Sequence, residues 1–116
     1  AQGALYRDLD RAYICRSGDT HYRIPLGSIS YFVSDRRQVT CVTPGREYTF
    51  YGKLDAVAAE LGEAFVRIHQ RYLVRAAAVD RVEGSEVVLR DGARLPVSRS
   101  CQQAALLALT RVELER

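Results

Sequence analysis

Short apolar and aromatic runs, separated by turn residues, recur about every ten residues along the first half of the chain. Each run is rich in β-branched and aromatic side chains, which favour extended structure. Gly, Pro, Asp and Ser cluster between the runs and predict turns there. The pattern predicts an all-β body with strands over residues 12–16, 21–24, 29–33, 39–43 and 47–51.

Two segments follow the helical period instead of the strand period. Residues 52–62 place four apolar side chains on one helical face, and Gly62 is a typical C-terminal stop; the four are Leu54, Val57, Ala58 and Leu61. Residues 102–114 predict a C-terminal helix with Ser98 as its N-cap. The predicted apolar positions of this helix are Ala105, Leu106, Leu109 and Val112.

Between these helices the pattern returns to strands, predicted over residues 79–83, 86–89 and 93–97. Asp91-Gly92 predicts a type I′ hairpin turn, because both residues tolerate a positive φ. Pro96 lacks an amide donor and predicts an edge strand. The predicted fold class is therefore mainly β, with compact small antiparallel sheets, one short internal helix and a C-terminal helix.

The segment from Phe65 to Val74 carries the most informative chemistry. It reads as strand except at His69-Gln70-Arg71, where three hydrogen-bonding side chains separate two apolar runs. This break predicts a short exposed loop that presents donors to an acceptor-rich partner, with DNA as the leading candidate. Two interpretations of His69 stay open, because the ring either bonds backbone to hold the loop or contacts a phosphate or base. Arg71 equally suits a solvated strand edge.

Composition limits the possible classes of protein. A chain of 116 residues forms one domain, and it contains neither an apolar run of membrane-spanning length nor a signal peptide. The net charge is +3 and nearly all of the cations are Arg, whose planar fork pairs with phosphate or guanine. A GC-rich genome explains the same excess of Arg equally well. Composition alone therefore does not indicate a nucleic-acid partner, and the position of each Arg has to be considered.

Cysteine content and motif content argue against cofactor chemistry. Cys15, Cys41 and Cys101 lack the spacing of a metal site or disulfide framework and suit a reducing cytoplasm. Cys15 and Cys41 lie in strand-like runs and are expected to be small buried hydrophobes. No nucleophile elbow, HExxH motif or phosphate-binding loop is present. We therefore expect no metal, no cofactor and no enzyme activity.

In order and spacing, the motifs resemble the LytTR DNA-binding domain, the output module of LytR/AgrA-type bacterial response regulators. The matching pieces are residues 29–32, 48–54, 65–74 and 91–99, and the agreement extends from about residue 12 to residue 105. Phe-x-Arg-Ile-His at residues 65–69, followed by Leu-Pro-Val-Ser-Arg at 95–99, is the most specific part. Residues 1–11 are polar and weakly patterned and are expected to be a linker or tail end, and the resemblance implies a LytTR-type DNA-binding domain over 12–116.

The same resemblance implies sequence-specific binding of double-stranded DNA in transcription regulation, with loops in successive major grooves. One loop would contribute Arg36 and Arg37, a second Gln70 and Arg71, and the end of the last hairpin Arg99. His69 is included as a candidate contact. The chain departs from the family pattern at two positions: the family commonly has Asn where Arg75 stands, and some members have His where Arg37 stands. Both departures bear on which DNA sequence is preferred and not on binding itself.

The expected setting is the bacterial cytoplasm, on promoter direct repeats. The chain has no Met, so either an initiator was removed or the sequence is a piece of a longer protein, and we favour the piece. A receiver or sensor domain is then expected before Ala1. The alternative function is a degenerate LytTR-like module for protein interaction or dimerisation, without base readout.

Overall fold

The computed structural model describes residues 11–114, with the side chains of residues 11–110. This part of the chain contains ten strands and two helices. The strands are β1 Ala12–Ser17, β2 Thr20–Pro25, β3 Tyr31–Asp35, β4 Gln38–Thr43, β5 Arg46–Tyr51, β6 Phe65–His69, β7 Tyr72–Arg75, β8 Val79–Glu83, β9 Glu86–Leu89 and β10 Arg94–Pro96. The helices are α1 Leu54–Leu61 and α2 Arg99–Leu114.

The strands form three antiparallel sheets, of which the five-stranded one is central. The central sheet has the order β5-β4-β3-β7-β6, and the others are the β1–β2 hairpin and a sheet of order β10-β9-β8. The pairing of β3 with β7 joins two hairpins, with Tyr31 opposite Val74 and Val33 opposite Tyr72. This long-range pairing determines which turns of the molecule become neighbours.

The central sheet separates two hydrophobic cores, because successive strand residues point to opposite faces. Leu73 faces a core shared with the β1–β2 hairpin and α1, while Val74 faces one shared with the β8–β10 sheet and α2. Phe32 is fully buried in the first core. Its ring centroid lies 5.3 Å from that of Tyr13 and 5.6 Å from that of Phe65. Both faces of β6 and β7 are thus covered, and the turns of the sheet emerge at its ends.

The predicted strands and helices are confirmed, with strand boundaries within two residues of those observed. The apolar face of α1 is buried, and Gly62 ends the helix with a φ of 70°. The predicted face of α2 is wrong at Leu106, which is 43% exposed. The prediction is confirmed at Ala105, which is buried, and at Leu109, which packs beside it with Ala108. The side chain of Val112 lies outside the described residues.

The turn predicted at Asp91-Gly92 is a longer connection than a type I′ turn. Gly92 has a φ of 94°, whereas Asp91 does not have a positive φ. The Gly92 amide donates to the Leu89 carbonyl at 2.9 Å, and the Leu89 amide donates to Ala93 at 2.8 Å. The Asp91 carboxylate accepts the Ala93 N–H at 2.9 Å, a local contact that favours this turn. The edge position of Pro96 is confirmed, since β10 is an outer strand.

Cysteine burial also follows the prediction. Cys15 and Cys41 are buried free thiols, while Cys101 is half-buried and free. The described His, Cys, Asp and Glu side chains form no group of three that could hold a metal ion. Within residues 11–114, no helix is both long and apolar enough to cross a membrane.

Candidate nucleic-acid interface

Two of the predicted loops lie side by side at one end of the central sheet. Arg36-Arg37 is the turn between β3 and β4, and Gln70-Arg71 is the turn between β6 and β7. The Ser34 amide donates to the Arg71 carbonyl at 2.9 Å. Arg71 Nε returns a hydrogen bond to the Ser34 carbonyl at 2.7 Å. The β3–β7 pairing therefore brings together residues that lie more than thirty positions apart.

The first of these turns contains a strained residue. Arg36 has a φ of 61°, in the left-handed region that favours glycine. An L-residue adopts this conformation at a cost of about 1–2 kcal/mol. Such conformations cluster at functional sites. Both Arg36 and Arg37 are exposed, so packing of their side chains does not explain why a glycine is absent.

The start of α2 extends the same surface beyond β6. The Ser98 amide donates to the Ile68 carbonyl at 2.9 Å, and the helix begins with the next residue, Arg99. Ile68 is adjacent to His69 at the end of β6, so this bond holds Arg99 beside the β6–β7 turn. Arg99 therefore lies in the first turn of α2, and its side chain is exposed.

A fourth connection, between β5 and α1, joins the surface on the other side. Tyr51 pairs with Gln38 at the start of β4, and the Gly52 amide donates to the Arg37 carbonyl at 3.0 Å. Tyr51 is 80% exposed, and Lys53 follows it in the exposed connection. Reasoning from the sequence missed Tyr51 and Lys53. An aromatic and a cation directly after a strand were the available signal, but only the sheet order shows that they adjoin Arg37.

The structure gives His69 a role inside the β6–β7 turn. Its Nδ1 accepts the Arg71 amide N–H at 3.1 Å. Its ring meets the Tyr72 ring edge-on, with centroids 5.7 Å apart. The ring is half-buried. These contacts correspond to the loop-holding interpretation, and they leave Nε2 available to donate to another group.

The exposed cations at this end of the sheet have no carboxylate partner among the described residues. Within the described chain, no ion pair forms to the exposed residues Arg36, Arg37, Lys53, Arg71 and Arg99. The surface ion pairs of Arg81 and Arg94 with neighbouring carboxylates belong to the β8–β10 sheet. A concentration of unpaired cations on one face attracts polyanions. We call this face, made by the four connections, the sheet-end surface.

The two departures from the family pattern lie at different ends of the sheet. Arg37 belongs to the sheet-end surface, whereas Arg75 ends β7 at the opposite end. Arg75 Nε donates to the Ile29 carbonyl at 2.6 Å. Burial, with a smaller contribution from nearby Arg90, lowers the pKa of the Arg75 guanidinium. Arg75 thus stabilises the fold where β7 leaves the sheet.

Comparison with known proteins confirms the resemblance. The "Positive alginate biosynthesis regulatory protein" of Pseudomonas aeruginosa is 34% identical over 83 residues, which are 66% of this chain and 34% of the relative. The chain thus spans about a third of that protein's length. A LytTr DNA-binding domain from Bacillus cereus, of a protein described as a methyl-accepting/DNA response regulator, superposes with a TM-score of 0.73. That match covers 84% of this chain and 95% of the other at 17% identity, which shows a shared fold.

The family model described as "LytTr DNA-binding domain" matches residues 19–109, most of the chain. This family is a class of DNA-binding domains and not a class of enzymes. The chain therefore belongs to the LytTr DNA-binding domain family, and its function is DNA binding in transcription regulation.

Proposed function

We propose that the sheet-end surface binds specific sequences in double-stranded DNA, with its loops in successive major grooves. The observation that carries the proposal is the convergence of four connections, with five exposed cations that have no carboxylate partner among the described residues. Counterion release from the duplex would favour binding to such a surface. The turns, rather than a helix lying in a groove, would supply the contacts.

The local geometry supports a division of roles among the side chains. Gln70 is exposed and free to offer the two-point match that recognises adenine, and Arg36 and Arg99 can do the same for guanine. Arg71 already commits Nε to the Ser34 carbonyl, so only part of its fork remains, which favours a phosphate contact. Arg37 would also contact phosphate, and His69 Nε2 would donate to phosphate or base.

The width of the surface supports contact on both sides of a groove. Adjacent strands lie about 4.8 Å apart. Four such spacings separate β5 from β6, and the start of α2, bonded to β6 through Ser98, adds one more. The distance from the β5–α1 connection to the start of α2 is therefore about 24 Å. This distance is about twice the 12 Å width of a major groove. Lys53 and Arg99, at opposite ends of the row, would therefore meet different parts of the duplex.

We further infer that the domain works within a longer regulatory protein in the cytoplasm, on direct repeats in promoters. The relative from Pseudomonas aeruginosa is about three times as long as the matched segment, which leaves room for a receiver or sensor domain. The three described cysteines are free, as expected in a reducing compartment. The proposed division of the chain remains a linker over residues 1–11 and the domain over 12–116.

Binding to a randomised duplex pool at several salt concentrations tests the charge argument. If all five cations contact phosphates on random duplex, where no base is selected, the logarithm of the binding constant should fall with the logarithm of salt concentration at a slope of about −4.5. Alanine at Arg37 should reduce that slope by about 0.9. Alanine at Arg46, an exposed Arg at the opposite end of β4 and β5, is the matched control and should leave it unchanged.

A duplex selected from the pool tests base reading in the major groove. Replacing single guanines with 7-deazaguanine removes N7, a major-groove acceptor, and should weaken binding at the bases that Arg36 or Arg99 contacts. Arg99→Ala should cost about 1–3 kcal/mol on the selected site and relax one base position. A salt slope near zero, with no selected sequence, would instead favour the interaction-module alternative.

A further inference from the structure

Arg67 in β6 uses all three of its guanidinium nitrogens, two on the β6–β7 turn and one on α1. Arg67 Nε donates to the His69 carbonyl at 2.8 Å, and Nη2 donates to the Gln70 carbonyl at 2.6 Å. Nη1 pairs with Asp55 Oδ1, at the start of α1, at 2.6 Å. About a third of the Arg67 side chain is exposed, against 84% for Asp55. Its fork is therefore occupied by the protein.

The backbone at this point explains why the turn carbonyls need a donor. Arg67 pairs with Leu73 and His69 pairs with Tyr72, so the register shifts by one residue between them. The extra residue, Ile68, has its side chain fully buried in the second core. A bulge of this kind interrupts the ladder of hydrogen bonds and redirects the chain that follows. The Arg67 fork supplies donors to the two carbonyls that follow the bulge.

We propose that Arg67 is a positioning residue for sequence reading, which holds the Gln70-Arg71 turn in its DNA-competent shape without contacting DNA. The inference rests on the proposed function of the sheet-end surface. Arg67 binds the carbonyl side of the turn, and His69 Nδ1 binds the Arg71 amide from within it. With both restraints in place, the Gln70 side chain leaves a backbone of defined orientation, as two-point recognition of a base requires.

Lysine at position 67 separates positioning from a charge effect. Lysine keeps the positive charge but lacks the planar fork that can serve two carbonyls and a carboxylate together. We expect Arg67→Lys to lower the ratio of specific to random duplex affinity by about tenfold, while affinity for random duplex changes by less than about twofold. Exchange of the Arg71 amide hydrogen, which bonds His69 Nδ1, should accelerate in the same variant when it is measured without DNA.

Two controls make the design specific to the turn. Arg90 Nε donates to the Ala77 carbonyl at 3.0 Å, beyond the opposite end of β7, so Arg90→Lys makes the same substitution away from the sheet-end surface. It should leave the specificity ratio unchanged. Asp55→Asn removes the exposed ion pair and keeps both carbonyl contacts, so we expect less than about a threefold loss, as for an exposed pair.

The outcomes separate the inference from the function on which it rests. If the parent protein shows no preference for a selected duplex, the proposed function fails. If the parent is specific and Arg67→Lys keeps both its ratio and its amide protection, the positioning role is wrong. If Arg67→Ala weakens specific and random binding equally while Arg67→Lys restores both, Arg67 is a phosphate contact, and the inference is overturned.

Discussion

Replacing Arg36 with glycine should raise the stability of the domain and weaken its binding to DNA at the same time. The φ of 61° at Arg36 costs an L-residue about 1–2 kcal/mol, and glycine removes that cost. Glycine also gives the unfolded chain freedom worth about 0.4–1 kcal/mol. Since the Arg36 side chain is exposed, no packing is lost. The free energy of unfolding should therefore rise by about 0.5–1 kcal/mol.

The same change removes one cation from the sheet-end surface. A lost phosphate contact lowers the salt slope by about 0.9, which at 0.15 M salt corresponds to about fivefold weaker binding. A lost base contact would cost about 1–3 kcal/mol on the selected site instead. Urea denaturation measures the first effect, and fluorescence anisotropy with a labelled duplex measures the second.

Arg37→Gly is the matched control, because it removes the same charge from the adjacent position. Arg37 does not have a positive φ, so glycine there relieves no strain and should cost about 0.5–1 kcal/mol. The reasoning is refuted if Arg36→Gly is less stable than the parent, or if the two glycine variants unfold at the same urea concentration.

Three further outcomes concern the buried interior. Burial raises the pKa of the Cys41 thiol from 9.0 to about 12, so the folded state keeps a proton that the unfolded chain loses. Cys41 should then lower the free energy of unfolding by up to about 1.4 kcal/mol per pH unit between pH 9 and 12, and urea titrations of the parent and Cys41→Ala would check this contribution. Iodoacetamide should label Cys101 well before the two buried thiols, and equal labelling rates by mass spectrometry would contradict their burial. Phe32→Ala should cost about 3–5 kcal/mol, whereas a loss below about 1 kcal/mol in thermal unfolding would show that the ring does not organise the first core.

The local elements could be predicted from the sequence because each carries its own signal. Alternating β-branched residues bounded by turn residues identified the strands, and the spacing from Leu54 to Leu61 identified α1. The face of α2 was predicted only in part. Helical spacing selects both Ala105 and Leu106, whereas the structure buries the smaller Ala105 and leaves Leu106 exposed. Which face of a helix packs depends on the shape of its partner, and that partner is distant in the chain.

The assembly of the candidate site could not be predicted from local sequence patterns either. Tyr51 and Lys53 belong to it only because β5 lies two strands from β3, and the Arg71–Ser34 contact depends on the β3–β7 pairing. No periodicity within either hairpin encodes this pairing. The candidate residues in the two turns and at Arg99 came instead from resemblance to a family. Their individual contacts with DNA stay predictions.

The two neighbouring turns of the sheet-end surface each contain only two residues, Arg36-Arg37 and Gln70-Arg71, and each closes a hairpin whose strands carry buried side chains. Such turns can be exchanged as cassettes, because the strands below them are specified by buried side chains elsewhere. Four codons then offer a compact library for redirecting the domain to new operators. Keeping Arg67 and His69 unchanged in such a library would preserve the backbone conformation of the β6–β7 turn, which carries one of the two new pairs of side chains.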